Sequence, residues 1–139
     1  MNPDPADFFP ADYRTGRHNF VAACEGGGVD VVARVHPEKL GWDGKPLFLD
    51  TAVIGPRNAP RALLLMSATH GVEGYFGSGV QNGLLREGLA KRAPKDSQIV
   101  LLHALNPYGF AWDRRVNEDN VDINRNFVDF MHPPQNKPY

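Results

Sequence analysis

The chain has 139 residues and a mass of 15.4 kDa, which suits one compact domain and is too short for two of ordinary size. Hydrophobic residues make up 42% and charged residues 22%, and the formal net charge is −1. This balance is typical of a soluble globular protein and argues against nucleic-acid binding. No apolar run is long enough to span a bilayer, and the single cysteine, Cys24, excludes an internal disulfide. We expect a cytoplasmic protein with neither a membrane nor a nucleic-acid partner.

The first half of the chain is predicted to form one helix and two strands. Residues 12–24 carry apolar side chains roughly on one stripe of a helix, and the three glycines at 26–28 end it. Residues 29–36 are rich in valine and alternate in part, which indicates a strand. Residues 46–54 indicate a second strand. The glycine-containing turn at 41–44 favours antiparallel pairing of the two strands.

A strand–helix–strand unit is predicted next. Residues 62–66 form a continuous apolar run of the kind seen in strands buried on both faces, and residues 99–102 form another. Between them, apolar side chains at four-residue spacing indicate a helix over about 72–92. Several glycines lie within it, and each would weaken an isolated helix by roughly 1 kcal/mol. We therefore expect the helix to pack close to the sheet, in a right-handed crossover with parallel strands.

The last third of the chain is dense in polar and charged residues between about 106 and 127. Ordered loops of such composition usually bind a ligand. Residues 132–139 show no pattern of a strand or a helix. The order of elements predicts an α/β fold.

His70 and Glu73 form the first pair of candidate functional residues. They follow the buried-type strand at 62–66, and open α/β sheets place their ligand sites at such carboxyl ends. Imidazole and carboxylate three residues apart can converge on one ion, and both are usual ligands of catalytic zinc. Gly71 would let the backbone turn tightly between them. The alternative is a helix-starting glutamate beside a hydrogen-bonded histidine, without a metal.

Asn124 and Arg125, with Arg114 and Arg115 nearby, form the second candidate group. An arginine fork matches the geometry of a carboxylate, and an adjacent amide can fix the remaining oxygen. This group suits recognition of a carboxylate on a substrate. The alternative is a set of surface arginines paired with neighbouring acidic residues, at positions 118, 119 and 122.

Three further residues are interpreted as structural. Ser78 stands between two glycines, but Phe76 precedes them, so the serine-nucleophile elbow is not matched. Cys24 is far in sequence from any candidate base and is predicted to be a core residue. His103 lies in an apolar strand and is predicted to be a hydrogen-bonded core histidine.

Three motifs in order carry a family resemblance. The chain reads SATHGVE at 67–73, NPYGF at 106–110 and VDINRNF at 121–127, with a helix and a strand between the first two. In this order they resemble the zinc metallocarboxypeptidase superfamily of carboxypeptidase A, which has succinylglutamate desuccinylase and aspartoacylase as relatives. The chain is most similar to an uncharacterised bacterial branch of carboxypeptidase-like proteins. The resemblance extends over nearly the whole sequence.

The resemblance implies a mixed sheet with helices on both faces and one bound zinc ion. His70 and Glu73 match the first two zinc ligands of the family. In the family's mechanism, zinc lowers the pKa of a bound water and polarises the scissile carbonyl. A glutamate acts as general base and then protonates the leaving amine.

The resemblance also assigns the substrate-binding residues. Asn124 and Arg125 match the pair that binds the terminal carboxylate of the substrate. Arg115 matches the arginine that polarises the carbonyl, although Arg114 leaves the assignment ambiguous by one residue. The implied substrate is a small peptide or acyl-amino acid with a carboxylate next to the bond that is hydrolysed.

The chain departs from the family pattern after Phe127. The family's third zinc ligand, a histidine, and its catalytic glutamate both lie beyond the matching region, and His132 is too close to the motif to be that ligand. We therefore expect residues 1–139 to be the N-terminal part of a single zinc-peptidase-like domain, truncated and with negligible turnover by itself.

Two functions stay open at this point. One is a zinc-dependent, carboxypeptidase-like hydrolase of peptide or amide bonds, incomplete as this chain. The other is a non-catalytic module that binds carboxylates or peptides and oligomerises. Half a sheet would leave an exposed edge, so a homo-oligomer that covers this edge is expected.

Overall fold

The computed structural model describes residues 4–125 and 128–133. They form a four-stranded sheet with helices, in an α/β arrangement. The strands are β1 (Val31–Leu40), β2 (Pro46–Ile54), β3 (Arg61–Met66) and β4 (Ser97–His103). The helices are α1 (Tyr13–Gly26), α2 (Gly74–Arg86), α3 (Leu89–Arg92) and α4 (Pro107–Ala111), with 3-10 turns at Pro5–Phe8 and Ile123–Arg125.

The sheet is mixed and has the strand order β1-β2-β4-β3. β1 and β2 pair antiparallel with Val31 opposite Ala52, which confirms the predicted pairing. β2 and β4 are also antiparallel, whereas β3 and β4 are parallel with Leu64 opposite Val100. The crossover from β3 through α2 to β4 is therefore the predicted parallel unit.

α1 begins where the sequence predicts it. The Asp12 side chain accepts a hydrogen bond of 2.7 Å from the Thr15 amide, which caps the first turn. Tyr13, Phe20 and Cys24 are buried along one stripe. The helix runs two residues further than predicted, to Gly26, before the chain turns into β1 through Gly28 at a φ of 69°.

The helices α1 and α2 cover the same face of the sheet. Phe20 of α1 and Leu85 of α2 belong to one core cluster with the strand residues Ala52, Ile99 and Leu101. The α/β class and the mixed sheet are thus confirmed. Within the described ranges both long helices lie on this face, so the helices expected on the second face are not found there.

The second face of the sheet carries exposed apolar side chains. Val53 of β2 is 42% exposed, and Leu64 and Met66 of β3 are each 51% exposed. The prediction that residues 62–66 are buried on both faces is wrong for the described structure. These residues are exposed because β3 is the edge strand of the described sheet, and helices cover only one face of that sheet.

The helix predicted over 72–92 is divided at Gly88, which adopts a φ of 85° and separates α2 from α3. The glycines of α2 allow the helix to pack closely against the sheet, as predicted, and also against the N-terminal segment. A methyl group at Gly77 would lie 2.9 Å from Cβ of Ser67, just after β3, and one at Gly83 would lie 2.8 Å from the ring of Phe8. The N-terminal 3-10 turn therefore packs on α2 as well.

Two polar side chains, His103 and Asp50, are buried in the core beneath α1. His103 is fully buried, stacks on Phe20 with ring centroids 4.7 Å apart, and has its Nε2 2.8 Å from the Ser78 hydroxyl. Asp50, on the neighbouring strand, is also buried and accepts two hydrogen bonds from Arg17, at 2.7 and 3.0 Å. The prediction of His103 as a hydrogen-bonded core histidine is confirmed.

Cys24 is a core residue, as predicted. It is fully buried in the cluster beneath α1, and burial raises the pKa of its thiol to about 12. No helix in the described part of the chain is long and apolar enough to cross a bilayer. The predictions for residues 126–127 and 134–139 lie outside the described residues.

The buried imidazole of His103 makes stability depend on pH. Burial, and then the nearby Arg17 cation, lower the pKa of His103 from 6.5 to about 4. Because the unfolded chain binds the proton more readily, the free energy of unfolding should fall between pH 6.5 and 4, by up to about 3 kcal/mol. In His103→Gln this component is absent, so urea unfolding at several pH values should show a shallower dependence.

His18→Gln, which alters an exposed histidine on α1, is the matched control and should keep the wild-type dependence. If His103→Gln and the wild type differ by the same free energy at every pH, His103 is not the group responsible.

Candidate functional site

The candidate residues gather at the carboxyl ends of the parallel strands β3 and β4. The chain leaves β3 through Ser67 and enters α2 at Gly74, and it leaves β4 towards α4. Backbone hydrogen bonds join the two exits, from the Leu105 amide to the Ser67 carbonyl at 2.8 Å and from the Asn106 amide to the Ala68 carbonyl at 2.9 Å. Open α/β sheets bind ligands at the carboxyl ends of their strands.

His70 is the centre of the site. Its Nδ1 lies 3.2 and 3.1 Å from the two carboxylate oxygens of Glu73, and its Nε2 lies 2.9 Å from Oδ1 of Asp122. The imidazole is 8% exposed, whereas the Glu73 side chain is 68% exposed. The ring is therefore held between two carboxylates, one of which faces solvent.

Arg115 forms ion pairs with the same two carboxylates, those of Asp122 and Glu73, on the solvent side of the cluster. Its Nε lies 3.0 Å from Oδ2 of Asp122, and one terminal nitrogen lies 3.8 Å from Oε1 of Glu73. The hydrogen bond from His70, with further ones from the Asn124 amide and Arg115, lowers the pKa of Asp122 to about 2. Asp122 is therefore ionised at neutral pH and available to hold both His70 and Arg115.

The arrangement divides the carboxylates between the two sides of the imidazole. Glu73 is on the Nδ1 side, where it can share an ion with that nitrogen, and Asp122 is on the Nε2 side, where it orients the ring. A histidine whose second nitrogen bonds a carboxylate is the usual form of a zinc ligand. Residues 4–125 and 128–133 contain no group of three His, Cys, Asp or Glu side chains placed to share one ion.

The other predicted site residues surround this cluster with contacts of their own. Arg114 donates a hydrogen bond of 3.0 Å to Asn120, and Arg125 donates one of 3.1 Å to the backbone carbonyl of Asn124. Asn124 joins the cluster only through its backbone amide, 3.0 Å from Oδ1 of Asp122. Asn124 and Arg125 are exposed, so both side chains are accessible to a ligand.

Asp122 is the site residue whose role sequence reasoning missed. The sequence indicates Asp122 only as an acidic neighbour that could pair with the arginines, and its ion pair with Arg115 is one of its contacts in the site. Its bond to His70 spans 52 positions of the chain, and no local periodicity reports such a contact. Its place two residues before the Asn124–Arg125 pair was the one available signal.

Gly71 is needed for a reason other than a tight turn. Its amide donates a 3.0 Å hydrogen bond to the Arg114 carbonyl. A methyl group on Gly71 would overlap the carbonyl oxygens of both Gly109 and Arg114. The turn that carries His70 and the loop that carries Arg115 are thus packed backbone against backbone.

One family model matches most of the chain. Residues 9–139 match the model of a family described as a protein of unknown function, DUF2817. No curated protein matches the chain.

Solved structures are similar to this chain at low sequence identity. A metallo-carboxypeptidase from Burkholderia cenocepacia has a TM-score of 0.58 and 19% identity, over 91% of this chain and 35% of that one. Thrombin activatable fibrinolysis inhibitor has a TM-score of 0.54 and 15% identity, over 86% of this chain and 34% of that one. A glutaminyl cyclase from Porphyromonas gingivalis has a TM-score of 0.49 and 20% identity, over 76% of this chain and 45% of that one.

The first two matches show that the chain has a carboxypeptidase-like fold, which confirms the resemblance seen in its motifs at the level of the fold. The chain spans between about a third and a half of the length of these three structures.

Gly71→Ala tests the backbone packing beneath the site. Since the new methyl group would meet two carbonyl oxygens that cannot move independently, we expect the free energy of unfolding to drop by about 3 kcal/mol or more. Urea denaturation provides the measurement. Gly26→Ala is the control, because a methyl group there meets no atom within 4 Å. Equal stability of both variants would contradict the packing role of Gly71.

Proposed function

This chain belongs to the DUF2817 family, and from its carboxypeptidase-like fold and the geometry around His70 we propose that it carries the metal- and carboxylate-binding part of a zinc-dependent hydrolase. The bond hydrolysed would be a peptide or amide bond next to a carboxylate. His70 and Glu73 would hold the zinc ion. Arg115, Arg114, Asn124 and Arg125 would bind the substrate.

The orientation of His70 carries this proposal. With Asp122 accepting from Nε2, a metal ion would take the place of a proton between Nδ1 and the Glu73 carboxylate. Glu73 is largely exposed, so an ion at this place would be open to water and substrate. A zinc ion bound here would polarise a substrate carbonyl and lower the pKa of a bound water.

The arginines supply the positive charge for an anionic substrate. Arg115 is 52% exposed and already lies against two carboxylates, as expected of a guanidinium that can exchange a protein carboxylate for a substrate oxygen. By resemblance, Asn124 and Arg125 would bind the terminal carboxylate, and Arg115 or Arg114 the carbonyl. The proposed ligand is therefore a small peptide or acyl-amino acid with a free carboxylate.

Turnover requires groups beyond those assigned here. The family resemblance places a third zinc ligand and the general base after the region that matches residues 121–127. We therefore propose binding of zinc and of a carboxylate by this chain, and hydrolysis by a polypeptide that also supplies those groups.

Zinc binding is tested by equilibrium titration of the metal-free protein with zinc, monitored by calorimetry. The wild type should bind one ion per chain, and His70→Ala should bind none. Asp122→Asn should weaken binding by about 10- to 100-fold, because the ring loses its charged partner. His132→Ala, at an exposed histidine, is the matched control. A wild type that binds no zinc, or unchanged zinc binding in His70→Ala, would contradict the proposed site.

Carboxylate binding is tested by calorimetry with N-acetyl amino acids, and with the corresponding amides, which lack the charge. The wild type should bind the acids and not the amides, and Arg125→Ala should lose at least tenfold in affinity. Arg57→Ala, an exposed arginine between β2 and β3, should bind normally. Binding of acids by metal-free protein would favour the non-catalytic module, and no binding of acids would remove the substrate assignment.

A further inference from the structure

A second histidine–carboxylate pair lies outside the candidate metal site. His36, on β1, has its Nε2 3.1 Å from Oε1 of Glu118, although the two residues are 82 positions apart. The two side chains are 9% and 21% exposed. His36 is in the irregular part of β1, where pairing with β2 is interrupted between Val35 and Leu40.

The backbone around His36 determines the direction of this bond. Nδ1 accepts hydrogen bonds from the amides of Glu38, at 3.3 Å, and Lys39, at 3.1 Å. A nitrogen that accepts from two donors carries no proton, so the proton of the neutral ring is on Nε2. His36 therefore donates to Glu118, from a ring whose orientation the strand irregularity holds.

Glu118 lies in the middle of the loop that carries the site. The loop connects α4 to the 3-10 turn at Ile123–Arg125, with Arg115 before Glu118 and Asp122 after it. Asn117 stiffens it, since its side chain accepts from the amides of Asp119, at 3.1 Å, and Val121, at 2.8 Å. A displacement of Glu118 would thus move Arg115 and Asp122 together.

We propose that His36 and Glu118 are positioning residues for the metal site. Their hydrogen bond anchors the middle of the loop to β1, so that Asp122 meets His70 and Arg115 faces Glu73. The other attachments of the loop lie towards its two ends: Trp112 donates to the Leu40 carbonyl, Asp113 accepts from Tyr75, the Arg114 carbonyl accepts from the Gly71 amide, Arg115 faces Glu73, and Asp122 bonds His70. Among the described residues, none of these contacts involves positions 116–121. This inference rests on the proposed zinc site.

The test compares Glu118→Ala with Glu118→Gln. The amide oxygen of glutamine can still accept from Nε2 of His36, whereas alanine cannot. Zinc affinity, measured by competition with a chromophoric chelator, should fall about tenfold in Glu118→Ala and stay within twofold of the wild type in Glu118→Gln. Asp119→Ala, an exposed neighbour in the same loop, should behave as the wild type.

Two further measurements separate positioning from general stability. Glu118→Ala should keep the wild-type midpoint of thermal unfolding within about 2 °C, while amide hydrogen exchange at residues 115–122 should accelerate at least tenfold. Loss of zinc affinity in proportion to a lowered midpoint would overturn the positioning role. Unchanged affinity or unchanged exchange would also overturn it.

Failure of the proposed zinc site can be distinguished from failure of the positioning role alone. Wild-type protein that binds no zinc would overturn the zinc site and its positioning together, whatever the exchange at residues 115–122. Zinc-binding wild type with an unaffected Glu118→Ala variant would leave the zinc site standing and remove only the inference about His36 and Glu118.

Discussion

The hydrogen bond between Asp122 and His70 is the constraint on which the candidate site depends. It joins two residues 52 positions apart in sequence, with α2, α3, β4 and α4 between them, and it fixes which imidazole nitrogen faces Glu73. Without it, a ring between a solvent-exposed glutamate and a polar loop could rotate, and its two nitrogens would be interchangeable. The bond fixes the orientation of the His70 ring, and the second oxygen of Asp122 accepts from Arg115 at the same place.

Rigidity around this bond is provided by backbone contacts more than by side chains. Gly71 lies against Gly109 and the Arg114 carbonyl, where no Cβ fits. The exits from β3 and β4 are joined by amide–carbonyl bonds. Backbone packing of this kind leaves little conformational freedom, so the loop residues contribute their charges at nearly fixed positions.

The sequence predicts the elements of this fold better than their environments. Local patterns are sufficient for α1, for β2 and for the parallel crossover, because capping, alternation and apolar runs are properties of neighbouring residues. They do not reveal that β3 is an edge strand, since an apolar run is the same whether or not a second layer covers it. His70 and Glu73 are recognisable by spacing, whereas Asp122 and the His36–Glu118 pair require contacts across 52 and 82 positions.

The face of the sheet that no described helix covers lies next to the candidate site. Among the described residues, Val53, Leu64 and Met66 give this face an exposed apolar surface. β3, which bears Leu64 and Met66 on that face, leads directly into the turn of His70. If a partner that covered this face also altered the turn, its binding would change the zinc affinity proposed for His70, and zinc would change the affinity for that partner by the same factor.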